Sequence, residues 1–130
     1  MTSKDLDTFI IKERKGRFEI LAQVNTMGSD LQVNLLGGKA HIGAIGIGET
    51  RSSLRDPKEI SATSSVFTFL SHKEDAVVKP MAKELAKRLK RKVVVVAGIH
   101  WDGLEMKDIE EIMAVCKMIT ERIIRKKTDE

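Results

Sequence analysis

Three histidines, His41, His72 and His100, are the only imidazoles in the chain, and each stands beside an apolar run. Such a side chain can ligate a metal when neutral, move a proton near neutral pH, or donate to an anion when charged. The densest polar neighbourhood is Ser71-His72-Lys73-Glu74-Asp75, where four ionisable residues follow apolar sequence without a spacer. Ser71 and Glu74 fit the S-x-x-E capping box, in which the serine oxygen accepts from the third helical amide and the glutamate reaches back to the serine amide. That assignment leaves His72 and Lys73 in a first helical turn, where unpaired amides, the helix dipole and an ammonium group together suit a phosphate. The separations among the three histidines match no compact zinc spacing, so metal ligation and acid–base work both stay open.

The elements that must position these residues can be read from periodicity. In "DTFIIKER", "FEILAQVN" and "LQVNLLG" apolar residues alternate with a period of two, separated by glycine turns at Gly16, Gly28 and Gly37-Gly38. With "AHIGAIGIG" the pattern predicts an antiparallel meander of four strands. After a polar connection, "ATSSVFTFL" predicts a fifth strand. Val77, Val78, Met81, Leu85 and Leu89 then recur at helical spacing, with Pro80 either bending that helix or delaying its regular part to about residue 78. The four valines of "KVVVVAGI" predict a strand covered on both faces. A last helix, from about Met106 to Lys126, carries Ile109, Ile112, Met113, Cys116, Ile119 and Ile123 on one stripe. The order β-β-β-β-β-α-β-α makes an α+β fold of about six strands and two helices, a meander extended by a β-α-β unit.

That unit should make the fifth strand and the valine strand parallel. Their ends, Ser71 to Lys73 and Gly98 to His100, then share one edge of the sheet. A fourth strand antiparallel to the fifth starts at the same edge, at His41. All three histidines are therefore expected at one carboxyl edge, where ligands of open α/β sheets bind. On the fourth strand Ile42, Ala44, Gly46 and Gly48 share a face, and the last three are very small. A closely packed helix is the simpler reason for that face; a flat ligand or a β-bulge are the others.

Composition sets the remaining bounds. Apolar residues make up 42% and charged residues 32% of 130, as expected for one globular domain over residues 1–130 with its core at about 8–126. A single cysteine forms no internal disulfide and fits a reducing compartment. The first residues hold no long apolar stretch, so neither a secretory signal nor a membrane anchor is expected, and the reading is a cytoplasmic protein. Seven basic residues and one acid occupy residues 79–92, but tyrosine is absent and the phenylalanines lie elsewhere. This predicts a solvated helix face rather than a nucleic-acid surface. Two helices on six strands should leave one apolar sheet face uncovered, which predicts a homo-oligomer.

Taken together, "GGKAHIGAIGIG", "DPKEISATSSVFTFLSHKED" and "VVVVAGIHWDG" resemble the LpdD-like family of small prenylated-flavin chaperones, from about residue 16 to the end of the last helix. The resemblance implies a non-catalytic protein that holds prenylated FMN as cargo and delivers or stabilises it for a UbiD-type apo-decarboxylase. The family's H-I-G-A string falls on His41 to Ala44 and so includes Gly43. Its H-K-E-D string falls on His72 to Asp75, and G-I-H-x-D-G on Gly98 to Gly103. On that basis Lys73 and the helix start at Ser71 and Glu74 hold the cofactor phosphate, while His41, His72 and His100 line its polar edge. Asp102 orients His100 or closes the site, and Ala44, Gly46 and Gly48 admit the flat ring. The element order also resembles the small proteasome-assembly chaperones. Two other readings stay open at this point. One is a ligand-free assembly chaperone or scaffold, supported by the basic helix and by the lack of an evident nucleophile-and-base pair. The other is a small metal- or flavin-dependent enzyme built on the same histidines.

Overall fold

A computed structural model describes residues 1–52, 60–68 and 74–130. The alternating segments form β1 (Leu6–Lys15), β2 (Phe18–Met27), β3 (Asp30–Gly38), β4 (Ala44–Ser52) and β5 (Ile60–Thr68), followed by α1 (Asp75–Leu89), β6 (Val93–His100) and α2 (Met106–Thr128). The expected order of elements is present, and the architecture is α+β. β1, β2 and β3 make two antiparallel hairpins. Their turns are tight because Gly16 and Gly28 adopt left-handed φ of 61° and 63°.

The meander stops there, at three strands instead of four. The sheet order is β1-β2-β3-β6-β4-β5, with β6 parallel to β3 and antiparallel to β4. Residues 39 to 43 therefore form a bridge across the end of β6, not a hairpin turn. The bridge is pinned at both ends, Lys39 N–H donating to the His100 carbonyl (3.1 Å) and Gly43 N–H to the Ala97 carbonyl (2.8 Å). It can cross so closely because Gly98 has no side chain: a Cβ there would fall 1.7 Å from the His41 carbonyl oxygen.

β5 and β6 both run antiparallel to β4, so they are parallel to each other, one strand apart. The expected meeting of their ends with the start of β4 follows: Ala44 lies opposite both Thr68 and Ala97, and Gly38 lies beside His100.

Both helices pack on one face of the sheet and on each other, α1 over β4, β5 and β6, and α2 over β1 and β2. Val77, Val78, Met81, Ala82, Leu85 and Ala86 form the buried stripe of α1. Pro80 sits on its exposed side inside a continuous helix, so the missing amide costs one hydrogen bond where water can serve the freed carbonyl. Lys79, Lys83, Lys87, Arg88 and Lys90 are exposed, as a solvated face requires. On α2, Ile112, Val115, Cys116, Ile119, Ile123 and Ile124 are buried, whereas Ile109, expected in the stripe, is 45% exposed in the first turn.

The small face of β4 belongs to α1. A Cβ on Gly46 would stand 2.6 Å from the Val78 carbonyl oxygen, and one on Gly48 would stand 2.2 Å from that of Ala82. The glycines let the helix backbone rest on the strand, and a flat ring has no room there. The register runs unbroken from Ala44 opposite Thr68 to Ser52 opposite Ile60, so β4 carries no bulge. The valine strand also differs from expectation. Val93 and Val95 are buried under the helices, but Val94 and Val96 point to the other face and are only half-buried. Among the described residues no helix is long and apolar enough to cross a membrane.

Candidate functional site at the carboxyl edge of the sheet

The bridge at residues 39 to 43 and the ends of β3 and β6 build the site, with the start of α1 against them. Glu74 stands in the N-cap position of α1 and makes no side-chain capping bond to that helix. Its carboxylate instead turns into the sheet edge, where Oε1 lies 2.9 Å from His41 Nε2 and accepts from the Ile99 N–H at 3.4 Å. The sequence assigned this carboxylate to a capping box; its contact with the bridge is a finding of the structure. Ser71, the other half of that box, lies outside the described residues, as do His72 and Lys73.

Gly43 makes this inward turn of Glu74 possible. A Cβ on Gly43 would stand 2.4 Å from the Glu74 carboxyl carbon, so the carboxylate rests directly on the bare backbone. Glu74 is buried, with 6% of its side chain exposed, and His41 is nearly so at 20%. The His41 ring is held from both nitrogens, because Nδ1 lies 2.7 Å from the Lys39 carbonyl oxygen. A carbonyl only accepts, so Nδ1 carries a hydrogen. The ring is thereby fixed with Nε2 facing the Glu74 carboxylate.

His100 stands beside this pair. Its ring centroid is 6.4 Å from that of His41, with the planes at 85°. Its Nε2 lies 3.1 Å from Asp102 Oδ1, and both groups are open to solvent. The two described histidines and the two described carboxylates of the expected set are thus at one edge, with Gly43 between them. The chemistry of the set is polar and hydrogen-bonding, with both signs of charge available. That suits the phosphate or heteroatom edge of a ligand, while the ring of such a ligand has no room on the helix-covered face of β4. Among the described residues, no group of three or more histidine, cysteine, aspartate or glutamate side chains could hold a metal ion.

Sequence reasoning missed three residues that hold this edge together. Gly98 admits the bridge. Gly37 admits Trp101, whose Cη2 would lie 2.7 Å from a Cβ there. Trp101 in turn packs edge-on against Phe18, at 5.0 Å between centroids and 78° between planes. The tryptophan therefore anchors the chain between His100 and Asp102 to the core. Gly37-Gly38, read as a turn, was the available signal: two glycines at a strand end also mark a close approach.

A cavity of about 660 Å³ lies away from this edge, between α1 and α2. Val77, Met81, Met113 and Cys116 are among the residues that line it, with Glu84 and Glu121 at its rim. Burial pushes the Cys116 thiol up to about 12, so it is a neutral, inert member of the core.

No curated protein matches this sequence. Among solved structures, one similar to this chain is the crystal structure of a chaperone complex for yeast 20S proteasome assembly, at 8% identity and a TM-score of 0.62. The match covers 95% of this chain and 98% of that one, and at such identity it establishes the fold alone. A family model described as the prenylated flavin chaperone LpdD-like domain matches residues 14–128. The match takes in the bridge, Glu74, His100 and Asp102, and the chain belongs to the LpdD-like family of prenylated flavin chaperones.

Proposed function

We propose that this protein holds prenylated FMN as non-catalytic cargo at the carboxyl edge of the sheet and passes it to a UbiD-type apo-decarboxylase. Here the protein binds and shields the cargo, and the chemistry belongs to the enzyme that receives it. The observation that carries the reading is the convergence of His41, Glu74 and His100 on the Gly43 bridge, in a chain of this family. In this reading Lys73, Ser71 and His72 complete the site on the phosphate side, and Asp102 holds the exposed His100 ring. The protein works in the cytoplasm as a homo-oligomer, which leaves the decarboxylase as its one heterologous partner.

Calorimetry with reduced prenylated FMN tests the reading. Binding by the purified protein is expected, and Lys73→Ala should weaken it by at least tenfold, or about 1.4 kcal/mol. Absence of binding by the unmodified protein would overturn the cargo assignment. An unchanged affinity in Lys73→Ala would remove that lysine from the site while leaving the assignment standing.

A further inference from the structure

β1 is an edge of the sheet, paired with β2 alone. The Gly28 N–H donates to the Asp5 carbonyl at 2.8 Å, in register with the β1–β2 ladder, so odd-numbered residues here face β2. Backbone groups alternate along an antiparallel strand, and Thr8, Ile10 and Lys12 therefore turn their N–H and C=O groups outward. Arg122 agrees with that direction, because its Nη1 donates to the Lys12 carbonyl at 3.1 Å. Among the described residues nothing else bonds to the backbone of this edge from Thr8 to Lys12.

Sheet edges are commonly blunted by short length, proline, a bulge or a covering element. β1 has 10 residues in unbroken register with β2 and contains no proline. Its charged side chains stand toward the ends, and Thr8-Phe9-Ile10-Ile11 carries none. The Arg122 guanidinium fills the place that the amide of a further strand would take against Lys12.

A pocket of about 270 Å³ adjoins the open stretch, lined by residues 9 to 11 of β1 and by Arg122, Arg125, Lys126 and Asp129. Its charge is mostly positive. Arg122 is held by Glu13 at 2.8 Å, and the Lys126 ammonium lies 4.8 Å from the centroid of the Phe9 ring. Arg125, Lys126 and the neighbouring Lys12 form no ion pair among the described residues. Unpaired cations beside an open strand edge fit an extended guest whose main chain continues the ladder and whose acidic side chain enters the pocket. A second copy fits poorly, because joining two β1 edges brings two Arg125–Lys126 clusters together.

We infer that the β1 edge from Thr8 to Lys12 takes an extended acidic segment of a partner protein as an added strand, with Arg125 and Lys126 holding its carboxylate. β1 lies three strands from β6, about 14 Å at about 4.8 Å per step, so a partner held there leaves His41 and His100 open. Assigning the segment to the enzyme that receives the cargo rests on the function proposed above; the recognition chemistry does not.

The probe is a labelled peptide of about nine residues in which valine and glutamate alternate, mixed with the full chain. Fluorescence anisotropy is expected to show saturable binding. Arg125→Glu combined with Lys126→Glu should weaken it at least tenfold, and N-methylation of the peptide amides that face the edge should abolish it. Ile10→Pro should abolish it as well, and that variant should fold, because the lost N–H points outward and edge strands accept proline. If it does not fold, amide exchange in the parent chain gives the readout: Thr8 and Ile10 should exchange fast alone and slow down with peptide. No binding at about millimolar peptide, or equal binding of a valine–lysine peptide, would overturn the acidic partner. An N-methylated peptide that binds as well as its parent would overturn strand addition. Thr8 and Ile10 amides protected in the chain alone, increasingly with concentration, would give the edge to a second copy and overturn the inference. Flavin titration of the charge-reversed variant reads the cargo site separately, and an unchanged flavin affinity is expected there.

Discussion

Gly98→Ala is the sharpest test of how the site is built. The added methyl would lie 1.7 Å from the His41 carbonyl oxygen, 2.5 Å from its carbon and 2.8 Å from the His41 nitrogen, all of them backbone. No rotamer change relieves that clash, so residues 39 to 43 must lift off β6. Overpacking of this kind costs about 1–3 kcal/mol. Lifting the bridge also breaks the Gly43–Ala97 hydrogen bond, worth about 1 kcal/mol, and draws His41 away from the buried Glu74 carboxylate, worth about 1–3 kcal/mol more. A total loss of about 3–7 kcal/mol is expected, a large part of the about 5–15 kcal/mol that holds a domain of this size. Gly28→Ala is the matched control. Gly28 has φ +63° but nothing within 4 Å of its would-be Cβ, so that variant bears only left-handed strain of about 1–2 kcal/mol. Urea unfolding of both variants against the parent measures the difference. If Gly98→Ala costs no more than Gly28→Ala, the close crossing of the bridge over β6 is wrong, and the assembly of the site argued from it falls too.

Two further predictions concern buried polar groups away from the site. Lys127 is a buried cation whose Nζ donates to Thr26 Oγ1 at 3.1 Å and meets Glu130 Oε2 at 2.6 Å. Thr26→Val should therefore cost about 1–3 kcal/mol, and adding Lys127→Met should recover most of it; a purely additive double mutant in urea unfolding would refute this coupling. For Cys116, burial raises the folded-state value to about 12, above its ordinary 9.0, so the unfolded chain loses that proton first. The stability this thiol confers is complete below pH 9 and falls by about 1.4 kcal/mol per unit between pH 9 and 12. Cys116→Ala should flatten the alkaline limb of the stability curve, and an unchanged slope would count against the assigned burial of the thiol.

How much of this was legible beforehand depends on the range of each signal. Alternation in "FEILAQVN" and helical spacing from Val77 to Leu89 report contacts within a few residues, and both elements are where the pattern put them. The meeting of His41 with His100 was legible too, because the direction of β5, β4 and β6 follows from connection lengths alone. The contact of Glu74 with the bridge was not legible, because a capping box and an inward carboxylate have the same local sequence. Only the position of Gly43, 31 residues away in the chain, decides which contact the carboxylate makes.

The sequence by itself thus determined the kinds of elements, their order, the solvated basic face of α1 and the edge at which His41 and His100 meet. Tertiary structure decided which strands are neighbours. It placed β6 between β3 and β4, gave the small face of β4 to α1, and closed His41 onto Glu74. The reason is physical. Periodicity records which side of an element is buried, but close approach depends on where one segment lacks a side chain opposite a distant one. Gly98 under the bridge and Gly43 under Glu74 are such places, and each acquires its meaning only when its partner arrives.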